Sequence, residues 1–326
     1  MTKKIGLFPV ALLFCIIACK KEQPSRQTVT DVPQKDAAAI SPKSLNIVQQ
    51  ALARLLAGPV FGTDWSGTVQ VVIVTNQATG KLPQVNVGVP SDYALVGGGA
   101  VISPTLTEPG ALITASYPDS NLAVWHASSK SFVDTFTHTL TAYAIGLKLM
   151  GLTSQQLKSN MWLFTSSPSP SAPHPATSVS VSSNYALVGG GAKIDYGAGR
   201  GSYLVASRPS GSTWYVEGKD HGVSSPATIT AYAIGLKTFI SPFGTLEAGF
   251  DSTIVYASSG FGVAPVTTDS SWVVTCPGGL AQYAGPGRML TALLPGINYA
   301  ITISKDQQYL DGGNTLAYIA KIRRTF

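Results

Sequence analysis

The stretch YALVGGGA at Tyr93–Ala100 recurs letter for letter at Tyr185–Ala192. A second word, TAYAIGLK, stands at Thr141–Lys148 and again at Thr230–Lys237. Two eight-residue words repeated in the same order mark a duplicated structural unit. In TAYAIGLK the bulky Thr141, Tyr143, Ile145 and Leu147 alternate with the small Ala142, Ala144 and Gly146, which is the period of a strand. Such a strand can be buried on both sides, with another backbone close against its small face. The triple glycine reads as a bulge or tight corner where backbones meet, for which only glycine is permissive. A cradle for a ligand's oxygens is the other reading, but no following helix or Lys-Ser/Thr pair supports a phosphate loop.

Working outward from these words divides the chain into three units: 68–150, 161–238 and a more divergent 252–324. Each opens on a β-rich run, at Val69–Val74, Met161–Phe164 and Thr253–Tyr256. The glycine word follows, with Gly278-Gly279-Leu280-Ala281 read as its third copy. Then come Ser116-Tyr117-Pro118, Ser207-Arg208-Pro209 and Leu293-Leu294-Pro295. A Trp-centred strand carries Trp125, Trp214 and, in the third unit, Tyr299, each followed by a lysine (Lys130, Lys219, Lys305). The closing tyrosines Tyr143, Tyr232 and Tyr318 are 89 and 86 residues apart, so the period survives where the letters drift. The expected fold class is all-β: three tandem β repeats of about 86–92 residues, preceded by one short α-helix. Closure into a pseudo-threefold prism and a linear stack of small sandwiches both satisfy the pattern. The Pro/Ser stretch 166–177 falls after the first strand of the second unit, so it reads as a long loop inside that unit rather than a linker.

Ahead of this β domain (67–326), residues 41–58 read as a helix packed on it. Ser41 suits the N-cap, Pro42 the first helical position, and Leu45, Val48, Leu52 and Leu55 form one apolar stripe. Gly58 and Pro59 stop it.

The chain has 326 residues, of which only 12% are charged and 44% hydrophobic. Low charge with abundant Gly, Ser, Thr and Pro points to an extracytoplasmic β protein with a substantial core. The net charge of +6 falls to about +4 once Lys3 and Lys4 are set aside with the leader. No basic run interleaves with aromatics, so nucleic acid is not an expected partner.

The amino terminus carries the sharpest signal. Met1–Lys4 is basic, the next stretch is apolar and too short to span a bilayer comfortably, and it ends in Ile16-Ile17-Ala18-Cys19. This resembles the bacterial lipoprotein signal. The resemblance implies a signal peptide over 1–18, acylation of Cys19 and anchoring in membrane lipid. Lys20 follows the cysteine where Asp would imply retention at the inner membrane. By the same resemblance this implies the outer membrane of a Gram-negative bacterium, facing periplasm or cell surface. Residues 19–40 are polar and read as a disordered tether. Cys276 then remains as the one unmodified cysteine, in an apolar context that marks a buried structural thiol. The order of glycine word, Ser-x-Pro, Trp, Lys and closing word also resembles repeats of uncharacterised secreted bacterial proteins, and that resemblance implies no function.

No His-x-x-x-His, Cys-x-x-Cys or Gly-x-Ser-x-Gly pattern occurs, so no metal, cofactor or catalytic residue is expected. Two features remain as candidate ligand-binding groups. Trp125 and Trp214 each precede a lysine, Lys130 and Lys219, by five residues; exposed, such a pair would stack a sugar ring and hydrogen-bond its hydroxyls. The competing reading makes each Trp a repeated core residue. Asp220 and His221, beside Lys219, form the best polar cluster. The expected function is a non-catalytic binding or adhesion ectodomain with glycan as its ligand. The alternatives are a structural envelope protein contacting other proteins, and a hydrolase whose site is assembled from dispersed residues. Exposure of both tryptophans would favour the first reading and burial the second.

Overall fold

The computed structural model describes residues 42–103, 110–131, 137–197, 201–257, 260–285, 287–305 and 312–325, without the side chains of residues 42–45. The leader, the tether, Cys19 and Ser41 lie outside the described residues. The fold is all-β, with three sheets and two helices.

Helix α1 (Pro42–Leu56) and the short strand β1 (Val60–Thr63) precede the repeats. The first unit holds β2 (Val69–Gly80), β3 (Gln84–Gly88), β4 (Ala94–Ser103), β5 (Ala111–Pro118), β6 (Val124–Ser131) and β7 (His138–Leu149). A one-turn helix, α2 (Ser154–Lys158), leads to the second: β8 (Met161–Thr165), β9 (Ala176–Ser180), β10 (Ala186–Asp195), β11 (Ser202–Ser210), β12 (Thr213–Asp220) and β13 (Thr228–Leu236). After β14 (Phe239–Ile240) come β15 (Gly244–Ala257), β16 (Phe261–Thr267), β17 (Val273–Ala281), β18 (Met289–Pro295), β19 (Tyr299–Lys305) and β20 (Gly313–Arg324). β15 begins well ahead of Ser252, where the sequence pattern places the third unit's start. Helix α2 has no counterpart in the sequence reading, although Thr153 and Gln156 form a capping box that marks it.

No sheet belongs to one unit. Sheet I runs β1-β2-β7-β4-β18-β19-β16, sheet II β3-β6-β5-β10-β13-β8, and sheet III β14-β15-β20-β17-β11-β12-β9. In each, the first, sixth and third strands of one unit join the fourth, fifth and second strands of another. Every junction is antiparallel and in the same register: Ala100 opposite Leu293, Ala192 opposite Ser116, Gly279 opposite Ser207. The junction of β4 with β18 ties the first unit to the third and closes the ring, which excludes the linear stack.

All three glycine-word strands carry a bulge, between Leu95 and Gly97, Leu187 and Gly189, and Val274 and Cys276. These bulges meet where the three units converge. A Cβ on Gly97 would collide with the Thr275 carbonyl, and one on Gly189 with the Val96 carbonyl. The Thr275 hydroxyl donates to the Val188 carbonyl at 2.5 Å. Glycine is required here because backbone meets backbone, as the pattern predicts. In the third unit Cys276 occupies the position of Gly97 and Gly189, and its thiol donates to the Gly190 carbonyl at 3.4 Å. The third copy of the word is therefore Trp272–Gly279, not an alignment on Gly278-Gly279-Leu280-Ala281. Gly99, Gly191 and Gly278 all pair with the closing tyrosines Tyr143, Tyr232 and Tyr318.

Helix α1 lies on sheet I. Val48, Ala51 and Leu55 are buried and Leu52 packs against the same core, while Ala51 and Arg54 border a groove with Pro265, Tyr299 and Ile301. Residues 166–175 form a loop inside the second unit, as expected, but Ala176 and Thr177, read as part of that loop, open β9. The loop's serines stand in for a strand: the Ser166 and Ser169 hydroxyls accept from the Ala231 and Ile229 amides.

Candidate functional site

The tryptophans are core residues, which corrects the sugar-stacking expectation. Trp125 is 1% exposed and Trp214 0%. Each indole lies against a glycine of its own unit, Gly98 or Gly190, where any Cβ would strike the ring. Each indole N–H donates to a buried serine at 3.0 Å, Trp125 to Ser116 and Trp214 to Ser207. The third unit solves the same space differently. Ala300, not Tyr299, stands opposite Pro295 as the tryptophans stand opposite Pro118 and Pro209. The partnering glycine becomes Pro277 and the serine becomes Leu293. Removing the indole removes both its bulk and its N–H, so the small partner and the acceptor go with it.

Lys130 and Lys219 are buried too, at 6% and 2% exposure. Their ammonium groups sit 4.8 Å from the ring centroids of Tyr196 and Tyr283, which are equivalent residues of adjoining units. Lys305 takes Phe261 at 5.2 Å. The repeated lysine is a packing device, its stem buried and its charge over a ring. Of the polar cluster, His221 is buried, which corrects its assignment as a ligand group, while Asp220 is half-buried. Asp220 lies 3.5 Å from His174 and accepts from the Ser225 amide. Together with Tyr283 and Lys219 it lines a shallow hollow at the end of sheet III.

A serine and a histidine do meet, Ser129 Oγ and His138 Nε2 at 2.8 Å, but both are buried. Among the described residues no group of three His, Cys, Asp or Glu side chains could hold a metal. Burial pushes the Cys276 thiol up to about 11, so it is neither thiolate nor accessible.

The site that the sequence reading missed is on the outer face of sheet II. One row across the sheet runs Asn86, His126, Tyr117, Gly191, Tyr232. Because Gly191 has no side chain, Tyr117 and Tyr232 lean together above it, their ring centroids 5.1 Å apart; Tyr117 stacks on His126 at 5.0 Å on the other side. His126 Nδ1 is 2.7 Å from Asn86 Oδ1. Lys193 places its ammonium 5.7 Å from the Tyr117 ring. Beside this half-exposed row is a hollow of about 330 Å³, lined by Gln84, Asn86, Tyr117, His126, Ser128, Lys193 and Tyr196. The hollow offers aromatic walls, two amides, a hydroxyl and one ammonium, and no carboxylate among its lining. The signal was in the sequence, as the odd letters between the small ones (Tyr117, His126, Tyr232), but only the pairing of β5 with β10 puts them in one row.

The same row on sheet III is Ser178, Tyr215, Arg208, Gly278, Tyr318, with the Arg208 guanidinium 5.2 and 5.4 Å from the two tyrosine rings. On sheet I it is Pro265, Ile301, Leu294, Gly99, Tyr143, and Ile301, Leu294 and Tyr143 are buried on the helix-covered face.

Fold and site together define a closed, pseudo-threefold β body with a polar-aromatic hollow on the outer face of sheet II. The chain matches no protein-family model and no curated protein.

Proposed function

We propose that this is a lipid-anchored, non-catalytic binding module of the bacterial outer membrane whose ligand is a saccharide. The observation that carries the reading is the sheet II hollow, where amides, a hydroxyl and an ammonium surround a half-exposed aromatic wall. Sugars need that mixture: an apolar surface for their C–H faces and planar polar groups for their hydroxyls. The Cys19 signal and the polar tether support the anchor, which would hold the body clear of the lipid headgroups. The test is binding of the full-length chain, in detergent, to a broad glycan panel, alongside Tyr117→Ala and Asn86→Ala. Loss of binding in folded variants is expected, and an absence of any bound glycan would sink the reading. Metabolic labelling with radioactive palmitate should mark the wild type and not Cys19→Ala.

A second reading, a protein-contact role in the envelope, is favoured by the burial of Trp125 and Trp214 and by β15. There Phe250, Ile254 and Tyr256 are all exposed on one face of a long strand near the edge of sheet III. Ile254→Lys with Tyr256→Lys should leave glycan binding intact; if instead the pair abolishes co-purification of an envelope protein, this reading replaces the first.

A further inference from the structure

We infer that the sheet II hollow takes a carboxylate-bearing saccharide, an inference that rests on the saccharide reading above. The structure holds its own mimic of the complex. Register fixes which residues correspond between the sheets. Ser128 stands opposite Ala115 as Glu217 stands opposite Ala206. By the same count His126 corresponds to Tyr215, Tyr196 to Tyr283 and Lys193 to Leu280.

On sheet III the equivalent space is filled from within. The Glu217 carboxylate accepts from the Tyr215 hydroxyl at 2.9 Å and from the Tyr283 hydroxyl at 3.2 Å. On sheet II the frame is the same. Tyr196 is backed by Lys130 as Tyr283 is by Lys219, at the same 4.8 Å. The filler is missing, because Ser128 is too short to cross from His126 to Tyr196. On sheet I the corresponding residue is Ile303, buried among apolar neighbours. Of three equivalent places, one is filled by the chain's own carboxylate, one is apolar and closed, and one is open.

The open one is also the one that gains a cation. Lys193 is exposed and lines the hollow where sheet III has Leu280. The nearby Asp195 accepts from the Gly197 amide at 3.2 Å, and its charge also acts on the Tyr196 hydroxyl. An incoming carboxylate finds the Tyr196 hydroxyl where Glu217 finds that of Tyr283, and the Lys193 ammonium adds a charge-assisted contact; His126, its Nδ1 turned to Asn86 Oδ1, stands in the place of Tyr215 without that residue's hydroxyl. The Gln84 amide and the Asn86 Nδ2 are left for hydroxyls. A uronic acid or another carboxylated sugar meets all of these at once; a neutral sugar leaves the Lys193 side unused.

The test is calorimetric titration of the full-length chain in detergent. The probes are a panel of uronate-bearing and other carboxylated oligosaccharides, their carboxyl-reduced neutral counterparts, and an acidic peptide. The acidic sugars should bind about tenfold or more tighter than their reduced counterparts, the size of one hydrogen bond to a charged group. Lys193→Gln should erase most of that difference. Ser128→Glu, which copies the sheet III filler, should abolish binding while the variant keeps a cooperative melt. Equal affinity for acidic and reduced sugars, unchanged in Lys193→Gln, would overturn the inference and leave the saccharide reading standing. Binding of neither class would overturn both. An acidic peptide bound as tightly as the sugars would overturn the saccharide and leave a general carboxylate site.

Discussion

The tryptophan, its serine and its facing glycine act as one unit of three residues. Trp214→Ala opens a cavity the size of an indole and should cost about 3–5 kcal/mol. Ser207→Ala leaves a buried indole N–H without its acceptor and should cost about 1–3 kcal/mol. The double change Trp214→Ala with Ser207→Leu moves toward the third unit's solution, Ala300 with Leu293. Its cost, from urea unfolding, should fall clearly below the sum of Trp214→Ala and Ser207→Leu made singly; simple additivity would mean the residues do not share one space. Cys276 sets a pH limit. Burial raises its folded pKa from the ordinary 9.0 to about 11, against weaker opposing hydrogen bonds to Gly190 and Gly98. The folded state holds this proton more tightly than the unfolded chain. Its contribution to stability is full below pH 9 and is lost as pH rises through 11. Tyr215 and Tyr283, pushed up to about 12 by burial and by their bonds to Glu217, act in the same direction. The urea midpoint should decline from pH 9 upward, and more shallowly in Cys276→Ala if that variant folds; a flat profile to pH 11 would show the thiol is not held protonated.

At the scale of elements, equivalent strands meet different neighbours on their outer faces. Sheet I presents Ile301, Ile303 and Leu294 and is covered by α1; sheet III fills this face with Arg208 and Glu217; sheet II stays open. The helix is thus the cap of one face rather than a spacer. Leu55→Asp would place a charge in that contact. Hydrogen exchange should then rise in β2, β7 and β19 while sheets II and III keep their protection. Equal loosening of all three sheets would mean that α1 braces the whole body. The apolar stripe of α1 was legible in the sequence, since Val48, Leu52 and Leu55 recur at helical spacing. Its site was not, because nothing in a local pattern states which of three similar faces it covers.

At the scale of the molecule, each sheet is shared between two units, so no unit owns a complete sheet. Ending the chain at Phe243 would remove three strands each from sheets I and III and leave β4 and β11 each with one edge unpaired. Such a chain should show no cooperative unfolding and little β circular dichroism, whereas a linear array would lose one repeat and keep the rest. A stable truncated product would refute ring closure as a requirement for folding.

The sequence by itself determined the all-β class, the threefold count, the glycine contacts and the helix stripe. Each is written in local periodicity, or in the bare repetition of letters, and needs no knowledge of partners. The tertiary structure alone decided the exchange of strands between units, the burial of Trp125 and Trp214, and the location of the open hollow. These depend on pairing between residues distant in sequence, such as Ala192 with Ser116 or Ala100 with Leu293. A tryptophan every ninety residues or so reads the same whether it faces water or core; only the opposing glycine, brought up by another strand, says which.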